Sequence, residues 1–260
     1  MTEQPLKPES GDTGFTLSGV LVAAQFLTTM PPLLKRPFTS RELGQAVALF
    51  PVVGLLLGAV LVGVNLLLAM FFPTAVRAAL LLVTWVLLTG VLHLDGFLDA
   101  CDGLFGGFTP EKRLEIMRDE RVGAFALAGG VLLLLVQFTA LTAVPHLNLA
   151  LLLAPTLGRW AMTLAIVGFP YARPSGLGRT MKDEAGLAEV LLATAVALIV
   201  VVMAGGIWGL GAMGLVALLV WLGSRFVLRR IPGLTGDIYG ALCVLSETAV
   251  LLLLVISGKF

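Results

Sequence analysis

Between Leu94 and Arg121 an oily sequence is interrupted by a dense block of charge. It reads His93-Leu94-Asp95-Gly96-Phe97-Leu98-Asp99-Ala100-Cys101-Asp102-Gly103, then Glu115-Ile116-Met117-Arg118-Asp119-Glu120-Arg121. Asp95, Asp99 and Asp102 stand at i, i+4 and i+7, so on an ideal helix they fall within about 60° of one another. Three like charges that close repel, and no structural role asks for them. A hard divalent cation does: Mg²⁺ takes carboxylate oxygens and commonly serves a phosphate. The expectation is therefore a Mg²⁺ site at Asp95, Asp99 and Asp102.

Other charged segments fit chemistry on phosphate. The stretch Tyr171-Ala172-Arg173-Pro174-Ser175-Gly176-Leu177-Gly178-Arg179-Thr180-Met181-Lys182 joins glycines and hydroxyls to three cations. Amides freed by glycine, next to Arg and Lys, suit phosphate oxygens. A further segment, Thr235-Gly236-Asp237, leads into an apolar run that carries Glu247. A carboxylate at membrane depth is costly, so it is functional or paired. Arg159, also inside an apolar run, is the cation available to it. His93 projects from the opposite side of an ideal helix and reads equally as structural or functional.

The elements that must position these groups are membrane helices. Apolar residues make up 58% of the chain and charged ones 13%, against roughly a quarter charged in soluble domains, and mean hydropathy is +1.00. Several apolar runs reach about 18 residues, enough to cross a hydrocarbon core. The pattern predicts an all-α bundle of seven spans, near 44–72, 76–93, 122–144, 148–169, 187–204, 207–224 and 239–256. Pro51, with Gly54 and Gly58, predicts a kink early in the first. Residues 16–30 are apolar but short, which predicts an interfacial or re-entrant helix. The polar stretch 1–15 lacks a signal-peptide layout and reads as a disordered cytoplasmic tail, leaving 16–260 as one membrane domain. Thr109-Pro110-Glu111 has the cap, first-turn proline and acid that start a helix.

Fourteen Lys and Arg fall on one face of this arrangement, and only Arg77 and Lys259 on the other. Positively charged loops stay in the cytoplasm, so the charged chemistry faces the cytoplasm. A net charge of +1 argues against nucleic acid, which leaves a basic footprint. Cys101 and Cys243 offer neither a disulfide framework nor metal-ligand spacing.

Taken in order, the segments resemble the cobalamin synthase family (adenosylcobinamide-GDP ribazoletransferase). The resemblance rests on Phe50-Pro51-Val52-Val53-Gly54 with Gly58, the block His93 to Gly103, and Arg113 to Gly123. It continues through Arg159, through Tyr171 to Gly178, and through Thr235-Gly236-Asp237 to Glu247. It implies a Mg²⁺-dependent enzyme of the bacterial inner membrane that joins adenosylcobinamide-GDP to α-ribazole, or its 5′-phosphate, and releases GMP. It also implies Asp119 and Arg118 as further catalytic residues, and Arg121, Arg159, Arg173, Lys182, Thr235, Asp237 and Glu247 as the substrate-binding set. The state of assembly stays open, a homo-oligomer included.

Two rival readings stand beside this one, another membrane enzyme and a transporter. A CDP-alcohol-type phosphotransferase also uses spaced aspartates, but needs Asp-Gly-x-x-Ala-Arg where this chain has Asp95-Gly96-Phe97-Leu98-Asp99-Ala100. A secondary transporter could couple through Arg159 and Glu247, yet transporters show repeated halves and midplane polar sites. Here the acids crowd one face.

Overall fold

Proline and glycine decide where this chain bends and where its helices touch. The computed structural model describes residues 17–258, so the tail expected over 1–15 lies outside them. Twelve α-helices follow among the described residues: α1 (Leu17–Leu27), α2 (Ser40–Ala46), α3 (Phe50–Leu68), α4 (Thr74–Leu88), α5 (Leu92–Gly106), α6 (Pro110–Ile116), α7 (Ala124–Ala143), α8 (Leu147–Gly168), α9 (Leu177–Glu184), α10 (Leu187–Val200), α11 (Gly206–Leu228) and α12 (Gly236–Ser257). There is no strand among them, only an isolated parallel bridge between Tyr171 and Leu234.

Helix α8 is the axle of the bundle, buried along most of its length and packed against α3, α12, α10 and α11. On α3, Gly54 faces the carbonyl of Pro155 and Gly58 faces the carbonyl of Leu151, where even a Cβ would collide with backbone. Pro155 has no N–H for the Leu151 carbonyl, and α3 closes on that stretch backbone to backbone, the small-residue packing of membrane helices. The kink expected at Pro51 is a tight 3₁₀ turn, Val47–Leu49, after which Pro51 opens α3 at a first-turn position. The Thr163 hydroxyl on α8 donates to the Val47 carbonyl at 2.8 Å and pins that turn.

Among the described residues, five helical runs are long and apolar enough to cross a membrane, or six if α4 and α5 count as one broken span. The predicted seven spans differ from this at two places. The span expected over 76–93 stops at Leu88, because Gly90 and Val91 both take left-handed backbone angles (φ 59° and 64°). The chain there turns by 88° between α4 and α5. The spans expected over 187–204 and 207–224 follow one another with no loop between them in the stretch Leu187–Leu228, joined by a π turn at Val201–Gly205. Gly206 then adopts φ 52° and ψ −137°, and the chain folds back so that Gly209 abuts the Val201 carbonyl. The short helix expected within 16–30 is α1, packed on α2 and α3.

After the turn at Val91, α5 passes across the start of α12. Gly96 meets the backbone of Asp237, and Gly240 meets the backbone of His93. Two glycines thus bring the aspartate block and the Thr235–Asp237 segment to van der Waals distance. Thr109 caps α6 by accepting from the Lys112 amide at 3.2 Å, as the sequence predicts.

Candidate active site

Four sequence segments converge at the α5–α12 crossing. The loop before α9 is tied to the loop before α12 by a pair of backbone bonds, Ala172 N–H to the Leu234 carbonyl and Leu234 N–H to the Pro170 carbonyl, both 2.8 Å. Gly233 is required there, since a side chain would strike the backbone of Tyr171 and Ala172. Thr235 caps α12, accepting from the Ile238 amide at 3.3 Å, and its own hydroxyl donates to Asp237 Oδ2 at 3.1 Å. Arg173 Nη2 donates to the same carboxylate oxygen at 2.7 Å and to the Met117 carbonyl at 3.3 Å. One half-buried guanidinium therefore ties together three segments that are far apart in sequence.

A cavity of about 370 Å³ opens above this junction, with Asp95, Arg118, Arg173 and Asp237 in its wall. Ser175 and Gly176 complete the polar side. Asp99 stands one helical turn beyond Asp95, half-buried and within electrostatic reach of Asp95, Asp237, Asp102 and Arg173. Tyr171 and Tyr239 pack with ring centroids 6.0 Å apart at the cavity edge. Burial raises the Tyr171 hydroxyl above its usual pKa, so it stays a protonated donor at neutral pH.

The expected metal trio does not gather. Asp102 turns away from the cavity and accepts the amides of Gly123 (2.6 Å) and Ala126 (2.9 Å). Those donors open α7, whose N-cap position, Gly123, has no side chain to serve them. A carboxylate there also meets the positive end of the helix dipole. Among the described residues, no three acidic, histidine or cysteine side chains form a ready-made metal cage.

Other expected site residues also lie elsewhere. Asp119 and Arg121 pair with each other at 2.6 Å on the surface, and Arg121 holds the Asp119 carboxyl down at about 2. Lys182, expected on phosphate, donates to the Val167 carbonyl at 2.7 Å and closes the end of α8; burial lowers its pKa. Thr235 lies under the cavity as a cap rather than in its wall.

Arg159 and Glu247 form a buried ion pair inside the bundle, with His93 Nδ1 3.4 Å from Arg159 Nη2. His93 borders both the cavity and this inner pair. Arg159 and Glu247, both expected to bind substrate, are not part of the cavity wall; His93 lies between them and it.

Sequence reasoning left Phe26, Met162 and Tyr239 out of the site, though all three line the cavity. Tyr239 follows Asp237 by two residues and was within reach; nothing in the pattern of α1 or α8 marks Phe26 or Met162.

The contrast between Arg173 and Lys182 is testable. Arg173→Ala is expected to lower the rate at least about tenfold, the loss expected if the sequence reading of Arg173 as a phosphate-positioning group holds. Lys182→Ala should leave KM for the phosphorylated substrate within about twofold, because it loses only a bond to a helix end, worth about 1 kcal/mol. Steady-state kinetics on both variants decides; equal losses would return Lys182 to the site.

The family model for cobalamin-5-phosphate synthase matches residues 19–255. An adenosylcobinamide-GDP ribazoletransferase of Desulforamulus reducens is 38% identical over 93% of this chain and 98% of its own length. The enzymes of that name from Stutzerimonas stutzeri and Pseudomonas paraeruginosa are 43% and 44% identical, over 89% and 92% of this chain and 95% and 98% of their own lengths. No solved structure matches the chain. With a family model spanning nearly all of the described residues and relatives aligned end to end, the chain belongs to the cobalamin-5-phosphate synthase family.

Proposed function

We infer that this chain performs the transfer for which its relatives are named, in the assembly of vitamin B12. It moves the adenosylcobinamide-phosphate group of adenosylcobinamide-GDP onto α-ribazole, or its 5′-phosphate, and releases GMP. The observation that carries this is the family match over residues 19–255. It is supported by Asp95, Arg118, Arg173 and Asp237, which come from four separate segments to one cavity. The same match decides against the CDP-alcohol-type and transporter readings.

The donor set suits Mg²⁺, which is usually held by one or two carboxylates together with substrate phosphate oxygens rather than by a full protein cage. Asp95 and Asp99 would hold it, and it would offset charge on the diphosphate. Arg118 and Arg173 bind phosphate oxygens, with Arg173 held in place by Asp237 and the Met117 carbonyl. A ribazole hydroxyl oxygen then bonds to the cobinamide-side phosphorus while the bond from that phosphorus to the bridging oxygen breaks. GMP departs with the bond electrons, and the hydroxyl proton passes to a carboxylate of the cavity. Such transfers rest on positioning and charge stabilisation.

Placed in a bilayer, α3, α4, α7, α8, α10, α11 and α12 make seven crossings, with α10 and α11 as a hairpin about Gly206. The fourteen cations of one face then lie in the cytoplasm of a bacterial inner membrane, where nucleotide-activated substrate is available.

Purified protein supplied with adenosylcobinamide-GDP, α-ribazole and Mg²⁺ should release GMP. Chelation should stop the release and Mg²⁺ restore it. Absence of GMP under all metal conditions would overturn the assignment; undiminished release in chelator would overturn the metal.

A further inference from the structure

The cavity has two chemically different ends. Its polar side comes from α5, the segment after α6, and the start of α12. Its other side comes from α1, α8 and α9, which bring Phe26, Met162, Ile166 and Met181. These four include no hydrogen-bonding group, and the last three are buried, forming a floor. Tyr171 and Tyr239 stand beside it, and Gly178 lies flush against the Tyr171 ring, where a Cβ would come within 2.7 Å of its hydroxyl.

We propose that this apolar end is the pocket for the flat base of the acceptor nucleoside, an alkyl-substituted benzimidazole, with its sugar directed towards Asp95 and Arg173. The inference rests on the transferase reading above. Two features favour this occupant over the other parts of the substrates. Guanine carries more donors and acceptors around its edge than the Tyr171 and Tyr239 hydroxyls beside the floor can match, and burying the rest without partners costs heavily; Phe26, Met162, Ile166 and Met181 supply none. A corrinoid is excluded by size, since about 370 Å³ sits at the small end of ligand pockets, which run from roughly 300 to 1,000 Å³. The corrin ring therefore stays outside, and only the phosphate it carries reaches Arg118 and Arg173. A methylated benzimidazole is flat and apolar on its outer edge, which matches thioether, aliphatic and aromatic surfaces.

Two variants test the placement in the full-length protein. Phe26→Ala removes one apolar wall. Leu177→Trp narrows the same cavity from a position 54% exposed, where a larger side chain does not disturb the core. Each should raise KM for α-ribazole about tenfold, the scale on which an apolar pocket discriminates, and leave KM for adenosylcobinamide-GDP within about twofold. In Phe26→Ala the penalty should shrink for the riboside of benzimidazole without its methyl groups. A rise in the donor's KM, or weaker inhibition by GMP, would overturn the proposal by putting guanosine in this pocket. Unchanged KM values in both variants would also overturn it, since the apolar end would then serve packing only. Wild-type protein that transfers nothing would instead overturn the transferase reading itself. Melting temperatures separate these outcomes from misfolding, and Leu177→Trp stands if Phe26→Ala does not fold.

Discussion

Asp95→Asn and Asp99→Asn are each expected to cut turnover by about a hundredfold or more, the scale of removing a fixed charge from a site that stabilises developing charge. Asn preserves shape but not the negative charge that a hard cation and its phosphate ligand require. Neither carboxylate has a hydrogen bond holding the fold in place among the described residues, so melting temperatures should barely move. Asp102→Ala should give the opposite profile. It strips two amide donors at the start of α7 of their acceptor, a loss of about 1–3 kcal/mol, and it should lower the melting temperature while a folded fraction keeps activity. Thermal denaturation in detergent with GMP-release kinetics on the same preparations reads both effects. Turnover within about threefold of wild type for both Asp95 and Asp99 variants would sink the site, on the margin separating catalytic from incidental groups. An Asp102 variant as stable as wild type but inactive would restore it to the metal.

The difference between those aspartates marks how far sequence could see. Identical residue types at helical spacing point to one face of a helix, and α5 does place Asp95 in the cavity wall, with Asp99 one turn beyond it and within electrostatic reach of Asp95 and Asp237. Asp102 goes elsewhere because its partners, the amides of Gly123 and Ala126, lie more than twenty residues away, and no local pattern announces a borrowed cap. Lys182 is similar: its acceptor is the end of α8, a tertiary accident of where α9 lands. The bend ahead of α5 was equally hidden. It depends on a left-handed valine, Val91, a conformation that β-branched residues avoid and that apolar periodicity reads straight through. Glycines were more informative. Gly54, Gly58, Gly96 and Gly240 each stand where two helices touch backbone to backbone, and three of the four belong to the motifs that carried the resemblance. Local caps were legible because both partners sit within four residues, as at Thr109.

Arg159 and Glu247 give the largest effect expected on stability. Their side chains are 1% and 5% exposed, on α8 and α12, two of the most heavily packed helices of the bundle. Removing one partner leaves the other charged group without its counter-ion in an apolar interior, which costs about 3–5 kcal/mol. Arg159→Met and Glu247→Gln should therefore each lower the melting temperature strongly. Combining them should recover much of the loss, because no buried charge then remains and similar volume is kept. His93 Nδ1 lies 3.4 Å from Arg159 Nη2, but an imidazole is not an anion and does not replace the carboxylate lost in Glu247→Gln. A double-mutant cycle by thermal or denaturant unfolding measures the coupling. Simple additivity would show that the pair contributes nothing as a pair. Strong coupling with full stability but no turnover in the double variant would show a second role. The charge pair would then set, through His93 and α5, the position from which Asp95 reaches its phosphate.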